Sequence, residues 1–333
     1  TDIPANLEKL NSEYDVYNSA HPYPAQRNSI YFSSNRYSNG NNFNIICKNI
    51  DISYHEKDDV LNFAFPTDDY SSYQNKLLPL INTSNNELGP YFFESTKGLD
   101  YFFYANNEGG DYNIKFVYTP WLDWGTYNAQ ERLYGPYSLN FINSIYDDLY
   151  PTINQDTTKI YFCSNRENNL FHIYEANLNT EGNLYDYLIN TNSIEVSKNS
   201  VLSSNFNDKC PSITKNLIVF TSDREGGYGG YDLYYSLYTD NHWTMPVNFG
   251  DKINSEYDDY RPITFSFFGV FDLMIFSSNR PGGKGGYDLY CVKIGDLIEE
   301  LWTLNSWRVG KGEFHPQTSL RTVHEPLDSY GSS

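Results

Sequence analysis

One short string of residues returns five times along this 333-residue chain. It reads IYFSSNR at 30–36, YFFYANN at 101–107, IYFCSNR at 160–166, IVFTSDR at 218–224 and MIFSSNR at 274–280. From Arg36 the steps are about 71 residues to Asn107, then 59, 58 and 56. Self-similarity at a fixed period means copies of one supersecondary unit, each burying its apolar face on its neighbours. Every copy is four or five strand-forming residues stopped by a polar turn.

The rest of the unit can be read around that string. A second run follows each one, clearest in EGGYGGYDLYYSLY at 225–238 and PGGKGGYDLYCVKI at 281–294, weaker at 40–50, 108–118 and 168–178. Strand, glycine-rich turn, strand is a hairpin, with glycine expected to supply positive φ. An acidic turn precedes the hairpin in NTSNNELGP (82–90), NSIYDDLYP (143–151), SSNFNDKCP (203–211) and NSEYDDYRP (254–262). In each an acid lies three residues before the proline, and a short strand is expected to begin at that proline. A fourth strand is visible in WTMPVNFGDKI at 243–253. Four antiparallel strands per unit, repeated around an axis, make a β-propeller.

The chain ends separate a closed ring from an open solenoid. IPANLEKLNSEYD at 3–15 matches MPVNFGDKINSEYD at 245–258 with one residue fewer, yet no hairpin precedes it. The hairpin ending near Ile294 is the one that lacks an outer strand. Residues 3–10 are therefore expected to complete the last blade, which removes an exposed sheet edge. The fold expected is all-β, a five-bladed propeller with six blades as the alternative. Residues 1–296 form the propeller domain, and 297–333 form an extension that packs on it as a cap or supplies the last outer strand.

Composition agrees with an all-β chain: 32 Tyr and 21 Phe against 2 Met favour pleated, half-buried surfaces. A net charge of −19 argues against nucleic acid, whose phosphates would be repelled. The four cysteines, Cys47, Cys163, Cys210 and Cys291, have no metal-ligand spacing and read as small core residues. No run of 18 apolar residues is present, so no membrane-spanning helix is expected. The start at Thr1 reads as a trimmed product, with a lipid anchor expected upstream.

The strings IVFTSDREGGYGGYDLYYS, WTMPVNFGDKINSEYDD and MIFSSNRPGGKGGYDLY resemble WD40-like propeller repeats of the PD40 type, found in TolB-type periplasmic and Bacteroidetes-type envelope proteins. The likeness is strong over 205–295, recognisable over 140–178 and thin over 20–120. It implies a propeller of the bacterial cell envelope, an outer-membrane lipoprotein or periplasmic protein, without an OmpA-like domain. It names no ligand.

Candidate chemistry falls into three groups. Glu87, Asp148, Asp208 and Asp259 should gather at one end of the innermost strands, where a carboxylate ring could hold a cation such as calcium. Their bland role is to bond amides of their own turns or a nearby arginine. In the first repeat Val16 stands in the acid's place. Arg36, Arg166, Arg224 and Arg280 end the second strands, and a bridge from them to Asp232 and Asp288 beyond the glycine turns is the expected scaffold. Trp121, Trp124 and Tyr127 lie in the long segment 119–140, suited to stacking on sugar rings or to packing back on the blade. The insert 52–75 is the other long loop.

The histidines have no ligand spacing, and no nucleophile elbow or phosphate loop is present. The expected function is therefore non-catalytic: binding or scaffolding in the envelope, with an envelope protein, glycan or peptide as partner, no cofactor and no enzyme activity. The alternatives are a glycan-active enzyme using funnel carboxylates and an accessory subunit of an outer-membrane transporter or assembly.

Overall fold

The computed structural model describes residues 3–23, 29–55, 57, 60–67, 72–95, 98–120, 132–179, 181–267, 271–295 and 298. The segments bearing Trp121, Trp124 and Tyr127, and the extension 297–333 apart from Ile298, lie outside the described residues.

Five antiparallel sheets form the five blades of a propeller. Their innermost strands are Val16–Tyr23, Glu87–Ser95, Asp148–Ile153, Asp208–Thr214 and Asp259–Phe267. Each pairs with the recurrent apolar strand, which pairs in turn with the strand after the hairpin. Apolar side chains from both faces of these strands pack between neighbouring blades, with Phe32, Phe102, Phe103, Phe162, Phe220 and Phe276 fully buried. Burial of one such ring stabilises by roughly 1.5–3 kcal/mol. All four cysteines are buried, and none forms a disulfide.

The two chain ends complete one sheet. Ala5–Asn6 pairs antiparallel with Asp288–Lys293, Ala5 opposite Cys291 and Asn6 opposite Tyr290. The turn that follows repeats a device seen elsewhere in the ring. Asn254 accepts from the Leu233 amide at 2.8 Å and donates to its carbonyl at 3.0 Å; Asn11 does the same to Leu289 at 2.8 and 3.1 Å. The shared NSEYD string thus places the first turn against the last blade as the fifth turn sits against the fourth.

The glycine turns have a second cause beyond φ. Gly226 and Gly282 adopt φ of 88° and 95°. Gly229, Gly230, Gly285 and Gly286 are needed for close approach instead. A Cβ there would collide with Tyr257 O, Asp258 Oδ1, Tyr14 O and Asp15 Oδ1 respectively. The turn of one blade is pressed onto the acidic turn of the next.

Two insertions depart from the repeat. The segment expected as a loop at 52–75 holds a hairpin, Asp51–His55 with Val60–Ala64, and the start of a helix, Ser72–Ile81. Tyr73, Leu77 and Ile81 of that helix are buried against Phe102 and Tyr104. In the segment 119–140 the described part forms an outer strand, Tyr134–Ser138, whose Tyr134 stacks on Tyr118 at 5.0 Å. Among the described residues no helix is long and apolar enough to cross a membrane.

Candidate functional site

The four acids each open an innermost strand and are fully buried. Antiparallel pairing sets Asp148, Asp208 and Asp259 opposite Ser164, Ser222 and Ser278, so the arginine two residues beyond each serine reaches the same end. Arg166, Arg224 and Arg280 each donate from Nη2 to Oδ1 of their aspartate at 2.5 Å. Each Nη2 also meets a turn carbonyl (Ile142, Leu202 or Ile253), while Nε donates to the serine. The other carboxylate oxygen accepts the backbone and hydroxyl donors of Ser144, Ser204 or Ser255. Three identical clamps result.

The arginines were expected to reach Asp232 and Asp288, and here the structure corrects the sequence reading. Those aspartates cap their own glycine turns: Asp232 takes the amides of Tyr228 and Gly229, and Asp288 those of Lys284 and Gly285. Eight residues separate Arg224 from Asp232, but strand pairing brings the more distant Asp208 closer.

The clamp fails in two blades. In the first, Val16 leaves Arg36 bonded to Ser34 and the Leu10 carbonyl with no acid of its own turn. In the second, Glu87 has no arginine; Oε1 accepts from Thr83 at 2.6 Å and Asn106 at 2.7 Å, and Oε2 is buried without a partner. Burial pushes the Glu87 carboxyl above the usual range, against the pull of those two donors.

Two residues past each acid, and past Val16 in the first blade, the inner strand changes hand. Asn18, Gly89, Tyr150, Cys210 and Arg261 have φ of 49°, 64°, 56°, 57° and 57°. The register of every inner strand slips at this point, the mark of a β-bulge. For a non-glycine residue such a conformation costs about 1–2 kcal/mol; four of these five are non-glycine, so the propeller holds a ring of backbone strain at its centre. At the fifth, a Cβ on Gly89 would run into the ring of Tyr150.

These residues line a cavity of about 40 Å³ among the five inner strands. Asn18, Ser19, Tyr91, Tyr150, Ser212 and Arg261 face it, and none of the four acids does. The Arg261 guanidinium carbon lies 4.5, 4.9 and 5.0 Å from the ring centres of Tyr17, Tyr150 and Tyr260. Its Nε and Nη1 are buried without a hydrogen-bond partner, as are both amide atoms of Asn18 and the Ser19 hydroxyl. Burial pushes the Tyr17 phenol up to about 12 and those of Tyr150 and Tyr260 well above their usual value, so these rings stay uncharged at neutral pH. Lys209 sits nearby, Nζ 4.4 Å from the Phe171 ring and 5.9 Å from the Tyr260 ring, its pKa lowered by burial. The channel thus presents positive charge beside buried tyrosine rings. Among the described residues no group of three or more His, Cys, Asp or Glu side chains could hold a metal ion.

Sequence reasoning passed over Arg261. The signal was present in the residue before each proline, which is Gly, Tyr, Cys and Arg in turn while its neighbours repeat. A slot that varies inside a constant frame is where blades can differ in function. Sequence reading also passed over Tyr146, Phe206 and Tyr257. They lie two residues before the acids of three successive blades and are 38, 37 and 37% exposed at the acid end of the inner strands.

No protein-family model matches the chain. No curated protein matches it either. Solved propellers do match in fold. An endo-arabinase from Bacteroides thetaiotaomicron shares 10% identity and a TM-score of 0.49 over 88% of this chain and 97% of that one. A GH62 α-L-arabinofuranosidase catalytic domain from Coprinopsis cinerea shares 10% and 0.48 over 87% and 94%. A putative TolB from Agrobacterium tumefaciens shares 13% and 0.38 over 79% and 69%. The propeller fold rests on the five sheets themselves; likenesses this distant add nothing finer, and membership of the PD40 family is not shown by them. They do correct one expectation. Glycoside hydrolases stand among the matching propellers, so the exclusion of enzyme activity drawn from missing motifs does not stand.

Proposed function

We propose that this chain is a carbohydrate-directed propeller that takes its ligand at the acid end of the inner strands, over the central cavity. The observation that carries this reading is the pairing of tyrosine faces with buried polar groups that have no protein partner at Asn18, Ser19 and Arg261. A sugar has apolar ring faces and a hydroxyl rim, and such a site matches both: rings stack on aromatic faces while hydroxyls satisfy the polar groups. Tyr146, Phe206 and Tyr257 supply further exposed aromatic surface at that end. The envelope setting expected from the repeat resemblance belongs to this proposal, with glycans of that compartment as first candidates.

The test is calorimetry and product analysis against a panel of neutral and acidic polysaccharides. Binding is expected, weakened about tenfold by Tyr257→Ala, the equivalent of losing one aromatic contact of about 1–1.5 kcal/mol. A folded protein that gives neither heat nor product with any glycan would overturn the reading, and product formation would show turnover directly.

A further inference from the structure

Resting on that carbohydrate reading, we propose that the central cavity is a carboxylate receptor built on Arg261, so that the ligand is an acidic sugar. A guanidinium is charged at every working pH and carries five N–H donors. Here the donors on Nε and Nη1 are shut away from solvent and from protein acceptors. Contacts with Tyr17, Tyr150 and Tyr260 stabilise the cation. They accept none of its hydrogen bonds in the plane of the fork. Among the described residues no carboxylate bonds Arg261, although three other arginines of the ring each hold one. Arg36 also lacks an acid of its own turn, but Arg261 is the one that lines the cavity.

Shape narrows the anion. The planar fork of arginine matches the planar carboxylate. Asn18 and Ser19 add an amide and a hydroxyl, both unpaired, beside it. Lys209 adds a second positive charge close by. Access is short: Arg261 lies two residues along the strand from Asp259, about 7 Å at 3.3 Å per residue, so the acid group of a sugar held at that end can reach it.

The experiment compares glucuronate, glucose and acetate by calorimetry and thermal unfolding, on the full chain and on Arg261→Met. Arg261→Lys is the second variant, keeping the charge and removing the fork should Met fail to fold. Glucuronate is expected to bind at least tenfold tighter than glucose and to raise Tm by about 3–5 °C at a hundredfold excess over Kd. Arg261→Met should abolish that preference; Arg261→Lys should reduce it severalfold. Acetate stabilising the wild type but not Arg261→Met, with no sugar bound, would support the anion site and sink the carbohydrate reading. Equal binding of glucuronate and glucose, unmoved by either variant, would overturn the carboxylate receptor while leaving the carbohydrate reading intact. No response to any of the three would overturn both.

Discussion

Blades three to five and blades one and two solve the same problem differently. In the former, a buried aspartate, an arginine and a serine close each acidic turn onto the second strand. In the latter, one blade keeps the arginine and loses the acid, and the other keeps an acid and loses the arginine. All five blades nonetheless form, so the clamp is not required for a blade to exist. The asymmetry lies in charge. The complete clamps neutralise themselves, while Arg36, Glu87 and Arg261 have no direct countercharge among the described residues. Repetition builds the frame, and departures from it supply the chemistry.

The largest effect that could break this comparison is expected at a complete clamp. Arg224→Met leaves Asp208 buried with an uncompensated charge, and removing one partner of a buried pair costs about 3–5 kcal/mol. Arg36→Met forfeits hydrogen bonds to Ser34 and Leu10, about 1–2 kcal/mol in total, and a contact with the Phe32 ring, but strands no buried acid. Denaturant unfolding of the two variants side by side checks the difference, and equal losses would erase the distinction between the blades.

A smaller effect is expected from building the missing clamp. Val16 is fully buried and occupies the acid's position. Val16→Asp should give Arg36 a carboxylate at the cost of apolar burial, leaving net stability within about 1 kcal/mol of wild type because pairing and burial oppose. The sharper quantity is its coupling to Arg36→Met in a double-mutant cycle, expected at about 1–3 kcal/mol. No coupling would mean that the first turn does not superpose on the others.

Glu87 should show in pH dependence. Its pKa is raised in the folded state, so its contribution is fully present below the ordinary carboxylate pKa and is lost as pH rises through the raised folded value. Glu87→Gln should therefore flatten the stability profile across that window and leave Tm at pH 8 unchanged or higher. A uniform loss at every pH would instead mark Glu87 as needed in its ionised form. The smallest signal is chemical. Burial pushes the Cys210 thiol up to about 12, so it should resist alkylation at pH 8 until the protein unfolds. Fast labelling of the native protein would show the channel wall to be open.

How far the sequence reveals these regions follows from how local each cause is. Ring closure was legible because the NSEYD string at 11–15 and 254–258 carries its own contact instructions, through Asn11 and Asn254. The hairpins were legible because strand and turn residues are adjacent. The arginine partners were not, since a long-range strand register brings Asp208 to Arg224 past the nearer Asp232. Nor was the role of Gly229 and Gly285, which make room for a turn of the next blade rather than for their own φ. Arg261 was hidden for a third reason: its neighbours read as repeat, and only the bulge aims its side chain at the axis.

The most direct test of an unsatisfied arginine at the axis is a crystal structure of the protein grown with glucuronate. The expected result is density for the carboxylate between the inner strands, with an oxygen about 2.8 Å from the Arg261 guanidinium and absent from Arg261→Met crystals. A cavity holding no anion, with Nε and Nη1 instead bonded to protein carbonyls, would contradict it.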